Sequence, residues 1–79
     1  MLEEAIKSAK ILLNDDSLFI DEYAETDDYY FFSYKFISGE TIIYNTVIKY
    51  DKKTKIASFY MISINIPEIE NLEFKKVME

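Results

Sequence analysis

Cysteine and histidine are both absent from this chain of 79 residues. Without cysteine, neither a disulfide nor a thiolate metal site can form. Without histidine, the chain lacks the commonest metal ligand and the side chain that usually transfers protons near neutral pH. These two absences predict a protein without a bound metal or other cofactor, and the lack of cysteine is compatible with a reducing compartment.

Arginine is also missing, and glycine occurs only once, at Gly39. A chain without arginine cannot clamp an anion with two parallel hydrogen bonds from one side chain, and a single glycine cannot form a glycine-rich phosphate loop. The Gly-x-Ser-x-Gly pattern of serine hydrolases is absent, and no serine can be paired with a histidine. We therefore predict a non-enzymatic protein that acts by binding.

Long apolar runs are lacking as well, since the longest extends over a few residues and is far short of a membrane span. The N-terminus carries Glu3 and Glu4, acids where a signal peptide would carry bases. Oxygen ligands occur at Asp15-Asp16 and at residues 25–28, without the glycine and closing glutamate of a calcium loop. Lysine is the only basic residue and isoleucine is frequent, which suggests an AT-rich genome. We predict a cytoplasmic protein of a bacterium or a phage, with no metal site.

Apolar and aromatic side chains, by contrast, are abundant. Hydrophobic residues make up 49% of the chain, with seven tyrosines and six phenylalanines. This composition is the opposite of a disordered chain's, and the length suits one domain spanning residues 1–79. A domain this small buries only about 60% of its unfolded surface, so it needs either a rich core or a partner subunit.

The spacing of apolar residues changes once along the chain. In residues 2–13 they fall at the i, i+3, i+4 and i+7 positions of an amphipathic helix, and Asn14 is expected to end that helix in a left-handed conformation. After Leu18, apolar and polar residues alternate with the period of a strand. The predicted strands span residues 18–23, 29–37, 41–50 and 55–66.

Short turns separate these strands, so successive strands are expected to be antiparallel neighbours. Gly39 marks one turn, and Asp51 begins the next, in which Lys55 would be left-handed. Pro67 ends the last strand, and residues 68–79 fit either a short helix or a strand. The expected fold is α+β: an N-terminal helix packed on a four-stranded antiparallel meander with a short C-terminal helix or strand.

The second predicted strand carries aromatic residues on both of its faces. Tyr30 and Phe32 alternate with Tyr29 and Phe31, so one pair faces the helix and the other the opposite side of the sheet. That opposite side, with Tyr29 and Phe31, is expected to hold further apolar residues, namely Ile43, Val47, Phe59 and Met61 or their counterparts. Either the C-terminal element covers this face, or part of it serves as an interface anchor.

Negative charge is concentrated in one stretch. Residues 11–34 contain seven acids and no base, a net charge of −7, whereas the whole chain carries −6, so the remainder amounts to +1. Such a stretch is either a solvated corner that keeps a small protein soluble or an electronegative surface that speeds association with a basic partner. Direct binding of nucleic acid is not expected, because these acids would repel phosphate.

The order of the elements also resembles a known group of proteins. The resemblance rests on two segments: the hairpin Val-Ile-Lys-Tyr-Asp-Lys-Lys-Thr-Lys-Ile at residues 47–56 and Pro-Glu-Ile-Glu at residues 67–70. Both resemble the small immunity proteins of bacterial toxin systems, the YrhB-like group, in which a glycine stands at the position of Lys55. The resemblance implies a protein that binds and neutralises a toxin. Phage inhibitors of host defence, such as anti-CRISPR proteins, are similar in size and charge.

Two hypotheses follow. The preferred one is a stoichiometric inhibitor, either an immunity protein or a phage anti-defence protein, which uses the acidic stretch to occlude a basic partner such as a nuclease or a nucleic-acid-binding effector. The alternative is a self-associating structural or accessory domain, a homodimer through a sheet face or an edge strand. In the first case the expected contact residues are Asp21, Glu22, Glu25, Asp27, Asp28, Tyr29 and Tyr30.

Overall fold

The computed structural model describes residues 1–39, 46–61 and 71–77. In these residues one α-helix packs on an antiparallel sheet, which confirms the predicted α+β fold class. The sheet order in this part of the chain is β4-β3-β2-β1-β5, a four-stranded meander with one added edge strand. The elements are α1 (Leu2–Leu13), β1 (Leu18–Glu25), β2 (Tyr29–Phe36), β3 (Thr46–Asp51), β4 (Ala57–Met61) and β5 (Lys75–Lys76).

Helix α1 forms over the predicted residues because its apolar positions recur on one face. Ala5 and Ala9 are fully buried in the core that α1 forms with the sheet. The last turn carries Lys10, whose positive charge suits the negative end of the helix dipole. Asn14 ends the helix with a φ of 47° and donates its backbone N–H to the Lys10 carbonyl at 3.1 Å. The predicted left-handed cap is thus confirmed.

Strand β2 divides its side chains between the two faces of the sheet as predicted. Tyr30 and Phe32 face α1, Phe31 faces away, and all three are buried. The helix-side core consists of Ala5, Ala9, Ile20, Tyr30, Phe32, Ile48 and Tyr50. The second-face cluster consists of buried Ala24, Phe31 and Val47, with half-buried Tyr29, Tyr60, Leu72 and Phe74 packed against them.

Two residues expected on the second face lie on the helix side instead. Phe59 stands opposite Ile48 of the helix-side core, and directly opposed residues of an antiparallel pair share a face. Alternation places Met61 on the same side. The prediction for both residues was wrong because the register of a hairpin, which its turn determines, decides the face of every side chain. Tyr60 takes the second-face position, and Ile43 lies outside the described residues.

The strand limits also differ from the predicted ones. β1 continues past Tyr23 to Glu25, and β4 begins at Ala57 because the residues before it form the turn. In the described C-terminal residues the chain ends as a strand, β5, which was one of the two predicted alternatives. The predicted strand parts 41–45 and 62–66, and the possible helix start at residues 67–70, lie outside the described residues.

Two turns meet at one end of the sheet, which we name the turn end. Residues 26–28 join β1 to β2, residues 52–56 join β3 to β4, and both connections leave the sheet on the side where Tyr29 pairs with Asp51. The backbone N–H of Lys52 donates to the carbonyl of Asp28 at 3.0 Å. This bond fixes the two turns to each other.

The β3–β4 turn has the conformation predicted from its Asp-Lys-Lys-Thr sequence. The Asp51 Oδ1 atom accepts hydrogen bonds from the backbone N–H groups of Lys53 at 2.8 Å and Thr54 at 3.1 Å. Lys55 follows with a φ of 61°, in the left-handed region. A side chain at this position costs conformational energy that glycine would avoid.

Candidate functional site

An open cleft of about 470 Å³ lies at the turn end. Its walls come from the end of β1 and the turn after it, from the start of the β3–β4 turn, and from the residues around β5. The strand order explains this meeting, since β1 lies between β2 and β5. The lining side chains are Tyr23, Glu25, Thr26, Asp27, Lys52, Glu73 and Lys75.

Lys52 organises the wall of this cleft. Its side chain is only 18% exposed, and its Nζ atom donates to Glu25 Oε2 at 2.6 Å and to the Thr26 carbonyl at 2.7 Å. The same ammonium group lies 4.7 Å from the centroid of the Tyr30 ring, within range of a cation–π contact. The hydrogen bond from Lys52 lowers the pKa of Glu25. Glu25 therefore stays ionised and is held in one place.

Tyr30, one of the expected contact residues, belongs to the helix-side core. It is 6% exposed, and its ring packs against the rings of Tyr23, Phe32 and Tyr50 at centroid distances of 6.4, 6.1 and 6.3 Å. Burial raises the pKa of its hydroxyl, and the Glu25 carboxylate adds to that effect. Tyr30 is thus a core residue that supports the cleft wall through its contact with Lys52, and it is not an exposed contact residue.

Asp21, another expected contact residue, is turned toward its own chain. It lies at an irregularity in the β1–β2 register and is 8% exposed. Lys35 and Lys76 each place Nζ 3.2 Å from its carboxylate, and Lys76 is also 4.0 Å from Glu22. Burial opposes the charge of Asp21, but the hydrogen bonds from Lys76 and Lys35 outweigh it and lower its pKa. Asp21 and Glu22 are therefore engaged in holding β5.

Asp27 and Asp28 are the expected contact residues with the most open positions. Both side chains are exposed in the β1–β2 turn, and no ion pair to either of them occurs among the residues that the structure describes. Asp27 lines the cleft, and both aspartates line a neighbouring depression of about 300 Å³ with Tyr29. Their carboxylates can accept hydrogen bonds from an incoming cationic group.

Tyr29 begins β2 on the second face and is half-buried. The Lys49 Nζ atom lies 4.0 Å from the centroid of its ring and 4.2 Å from that of Tyr60. Its backbone N–H donates to Thr26 Oγ1 at 3.0 Å, which shapes the β1–β2 turn. Part of the Tyr29 side chain is thus covered by contacts within the chain, and its exposed part lies beside Asp27 and Asp28.

The acidic stretch of the sequence does not form one surface. Asp15 and Asp16 lie in the connection between α1 and β1, whereas Asp27 and Asp28 lie beyond the other end of β1. The eight residues of β1 separate the two pairs by roughly 25 Å at about 3.3 Å per residue. Asp15 is used locally, since hydrogen bonds from the Ser17 hydroxyl and backbone lower its pKa.

The structure brings Glu25, Asp27, Asp28 and Tyr29 together at the turn end. Tyr30 lies in the helix-side core instead, and Asp21 and Glu22 contact Lys76 of β5. Five lining residues were not among the expected contact residues, namely Tyr23, Thr26, Lys52, Glu73 and Lys75. Lys52 has the sequence signal of an ordinary turn residue, and the two C-terminal residues reach the site only because β5 pairs with β1. No local pattern could have indicated them.

The chemistry of the cleft is that of an electrostatic contact surface. It offers three carboxylates, on Glu25, Asp27 and Glu73, beside the ammonium groups of Lys52 and Lys75. The Thr26 hydroxyl accepts the hydrogen bond from the Tyr29 backbone and is thereby committed to the turn. Among the described residues there is no group of three or more acidic, histidine or cysteine side chains arranged to hold a metal ion.

Within residues 1–39, 46–61 and 71–77, no helix has the length and apolar character needed to span a membrane. Comparison of the chain with protein-family models, with curated proteins and with solved structures returned no match.

Proposed function

We propose that this protein is a non-enzymatic, stoichiometric inhibitor that docks its turn end onto a basic surface of another protein. The contact area is the acidic turn surface, defined as Glu25, Asp27, Asp28 and Glu73. The observation that carries the proposal is the pair of exposed aspartates, Asp27 and Asp28, to which no ion pair occurs among the described residues. An exposed carboxylate that is outside the ion pairs of the described residues is available to a cation on a partner, which favours association and specificity.

The rigidity of the surroundings supports this reading. Lys52 bonds Glu25 and the Thr26 carbonyl, and its own backbone bonds the Asp28 carbonyl. A turn held in this way loses little conformational freedom when it binds, so less of the interaction energy is spent on ordering. The overall charge of −6 adds long-range attraction to a basic partner.

The partner class follows from charge. A nuclease or another nucleic-acid-binding effector carries a basic surface for phosphate, and an acidic protein of this size could cover it. Immunity against a toxin and inhibition of a host defence complex are the two roles with this chemistry, both exerted in the cytoplasm. The mechanism would be steric and electrostatic occlusion.

Neutralising the two exposed aspartates tests the proposal. The variant Asp27→Asn/Asp28→Asn is compared with Asp15→Asn/Asp16→Asn, which changes the net charge equally at the opposite end of β1 and keeps an acceptor for Ser17. Tagged forms of each are used to capture partners from a bacterial lysate. We expect a basic protein whose recovery falls only with the first variant and weakens with added salt. Equal recovery with both variants, or no basic protein at all, contradicts the proposal.

The alternative function, self-association, has one observation in its favour. Phe59 and Met61 of β4 are each 51% exposed, and β4 is the last strand of the sheet among the described residues. An apolar edge strand can pair with the same strand of a second copy. Light scattering over a range of concentrations distinguishes the two, since a strict monomer at high concentration excludes this alternative.

A further inference from the structure

The C-terminal described residues cross the second face of the sheet and then join its edge. Leu72 and Phe74 pack against the second-face cluster, and Lys76 and Lys75 pair with Glu22 and Tyr23 of β1. We call residues 71–77 the strap. Its strand pairing is confined to these two positions and is followed by one backbone hydrogen bond from Val77, so side chains supply much of its attachment.

The main attachment is the carboxylate of Asp21. Both of its oxygens lie 3.2 Å from Nζ of Lys76, and the Val77 backbone N–H donates to the Asp21 carbonyl at 3.0 Å. Lys35 of β2 approaches the same carboxylate at 3.2 Å. The charged groups around Asp21 in the described residues are therefore Lys35 from β2, Lys76 from β5 and Glu22 from its own strand.

Asp21 depends on this contact more than the two lysines do. Asp21 is buried and needs a cation, because a buried carboxylate without a partner is strongly unfavourable. The lysines are held loosely, since the side chains of Lys76 and Lys35 are 59% and 57% exposed. The strap is a short edge segment with three half-buried anchors: Leu72 and Phe74 pack on the second-face cluster, and Val77 packs against the helix-side core. Such edge segments open at a lower free energy than central strands.

We propose that the strap is a releasable cover, fastened to β1 by the Asp21–Lys76 contact, and that it opens while α1 and β1–β4 stay folded. Opening removes Leu72 and Phe74 from the second-face cluster and uncovers Phe31 and Val47. It also frees the outer edge of β1 at Glu22 and Tyr23. The strap thereby controls access to a second apolar face, independently of the partner proposed for the turn end.

Acid is one trigger of release. The lowered pKa of Asp21 means that its contribution is complete above the ordinary aspartate value near ~4. The contribution is lost as the pH falls through the folded-state pKa, because a protonated Asp21 no longer attracts Lys76. Strap release in acid should therefore precede loss of the helix-side core.

Hydrogen exchange of the full chain, followed peptide by peptide with mass spectrometry, tests the proposal. The variants are Lys76→Gln, Asp21→Asn and the matched control Lys35→Gln, which removes the other cation from the same carboxylate but leaves the strap attached. We expect exchange in residues 71–77 to rise about tenfold or more in the first two variants. In the control it should remain close to that of the natural chain, and α1, β2 and β3 should keep their protection in Lys76→Gln.

Two results would overturn the proposal. Unchanged exchange of the strap in Lys76→Gln means that packing of Leu72, Phe74 and Val77 and the backbone bonds fasten it without Lys76. Faster exchange of α1, β2 and β3 together with the strap in Lys76→Gln means that the strap cannot open separately. The result for Asp21→Asn is interpreted together with that for Lys76→Gln. Because Asp21 keeps its ion pair with Lys35 in Lys76→Gln, that variant separates release of the strap from damage to the fold.

Discussion

At the scale of single residues, Lys52 connects more of the turn end than any acid predicted to act there. Its ammonium group bonds Glu25 and the Thr26 carbonyl and lies over the Tyr30 ring, while its backbone N–H bonds Asp28. A lysine that is mostly buried and makes two charge-assisted hydrogen bonds differs from an ordinary surface lysine. It fixes the Glu25 side chain and the backbone at Thr26 and Asp28 without removing the negative character of the turn.

Replacing Lys52 with methionine tests this role. The variant keeps the length of the side chain but loses both hydrogen bonds, and we expect the free energy of unfolding to fall by about 1 kcal/mol, since Glu25 is half exposed and water replaces part of the loss. Urea denaturation measures the change. Lys53→Met, at an exposed position of the same turn, serves as the control and should have little effect. Equal stability of both variants contradicts the role given to Lys52.

Lys55 is a residue whose conformation suits another amino acid better. Its φ of 61° is left-handed, which costs a non-glycine residue on the order of 1 kcal/mol. Its nearest ion pair, with Glu4 at 4.0 Å, joins two exposed side chains and contributes little. We expect Lys55→Gly to raise the melting temperature by a few degrees, as followed by circular dichroism. A lower melting temperature would show that the flexibility of glycine in the unfolded chain outweighs the relief.

At the scale of elements, β3 contributes to both faces of the sheet. Ile48 and Tyr50 are buried on the helix side, and Val47 is buried in the second-face cluster. A strand that lies between β2 and β4 and packs on both sides has few ways to adjust when a side chain shrinks.

Truncation of Ile48 should therefore be costly. Ile48 is fully buried, and Ile48→Ala is expected to lower the free energy of unfolding by about 3 kcal/mol through lost burial and an unfilled cavity. Ile56→Ala, at an exposed isoleucine, should change it by less than about 0.5 kcal/mol. Chemical denaturation of both variants gives the comparison, and similar losses for both would mean that the core is not where the structure puts it.

At the scale of the whole molecule, charge has two opposing effects. At neutral pH the excess of acids, −6 overall, repels itself and slightly disfavours the compact state. The ionised forms of Asp21 and Glu25 are nevertheless stabilised by lysines in the folded chain, as their lowered pKa values indicate. Which effect dominates depends on the pH.

Stability should fall in acid. For Asp21 and Glu25, whose folded-state pKa values are lowered, the stabilisation is present above the unfolded values near ~4 and is lost as the pH drops through the folded-state values. We expect a lower melting temperature at pH 3 than at pH 5, and a smaller difference in Asp21→Asn. Differential scanning calorimetry measures both melting temperatures. A melting temperature at pH 3 that is as high as at pH 5 contradicts the stabilising role given to ionised Asp21 and Glu25.

The fold could be predicted from the sequence to the extent that it depends on local patterns. The period of the apolar residues determined α1, and the alternation in β2 determined which aromatic residues share a face. The chemistry of Asn14 and Asp51 determined a cap and a turn. These features depend on neighbours within a few positions, and such interactions are written directly in the order of residues.

Only the tertiary structure decided which charges remain available. Asp21, Glu25 and Asp27 look alike in the sequence, yet one is buried between lysines, one is held by Lys52 and one is exposed. The lysines that make this difference come from β2, β5 and the β3–β4 turn, so their approach depends on strand order and register. The partners of a charge are set by distances across the fold, which separation along the chain does not encode.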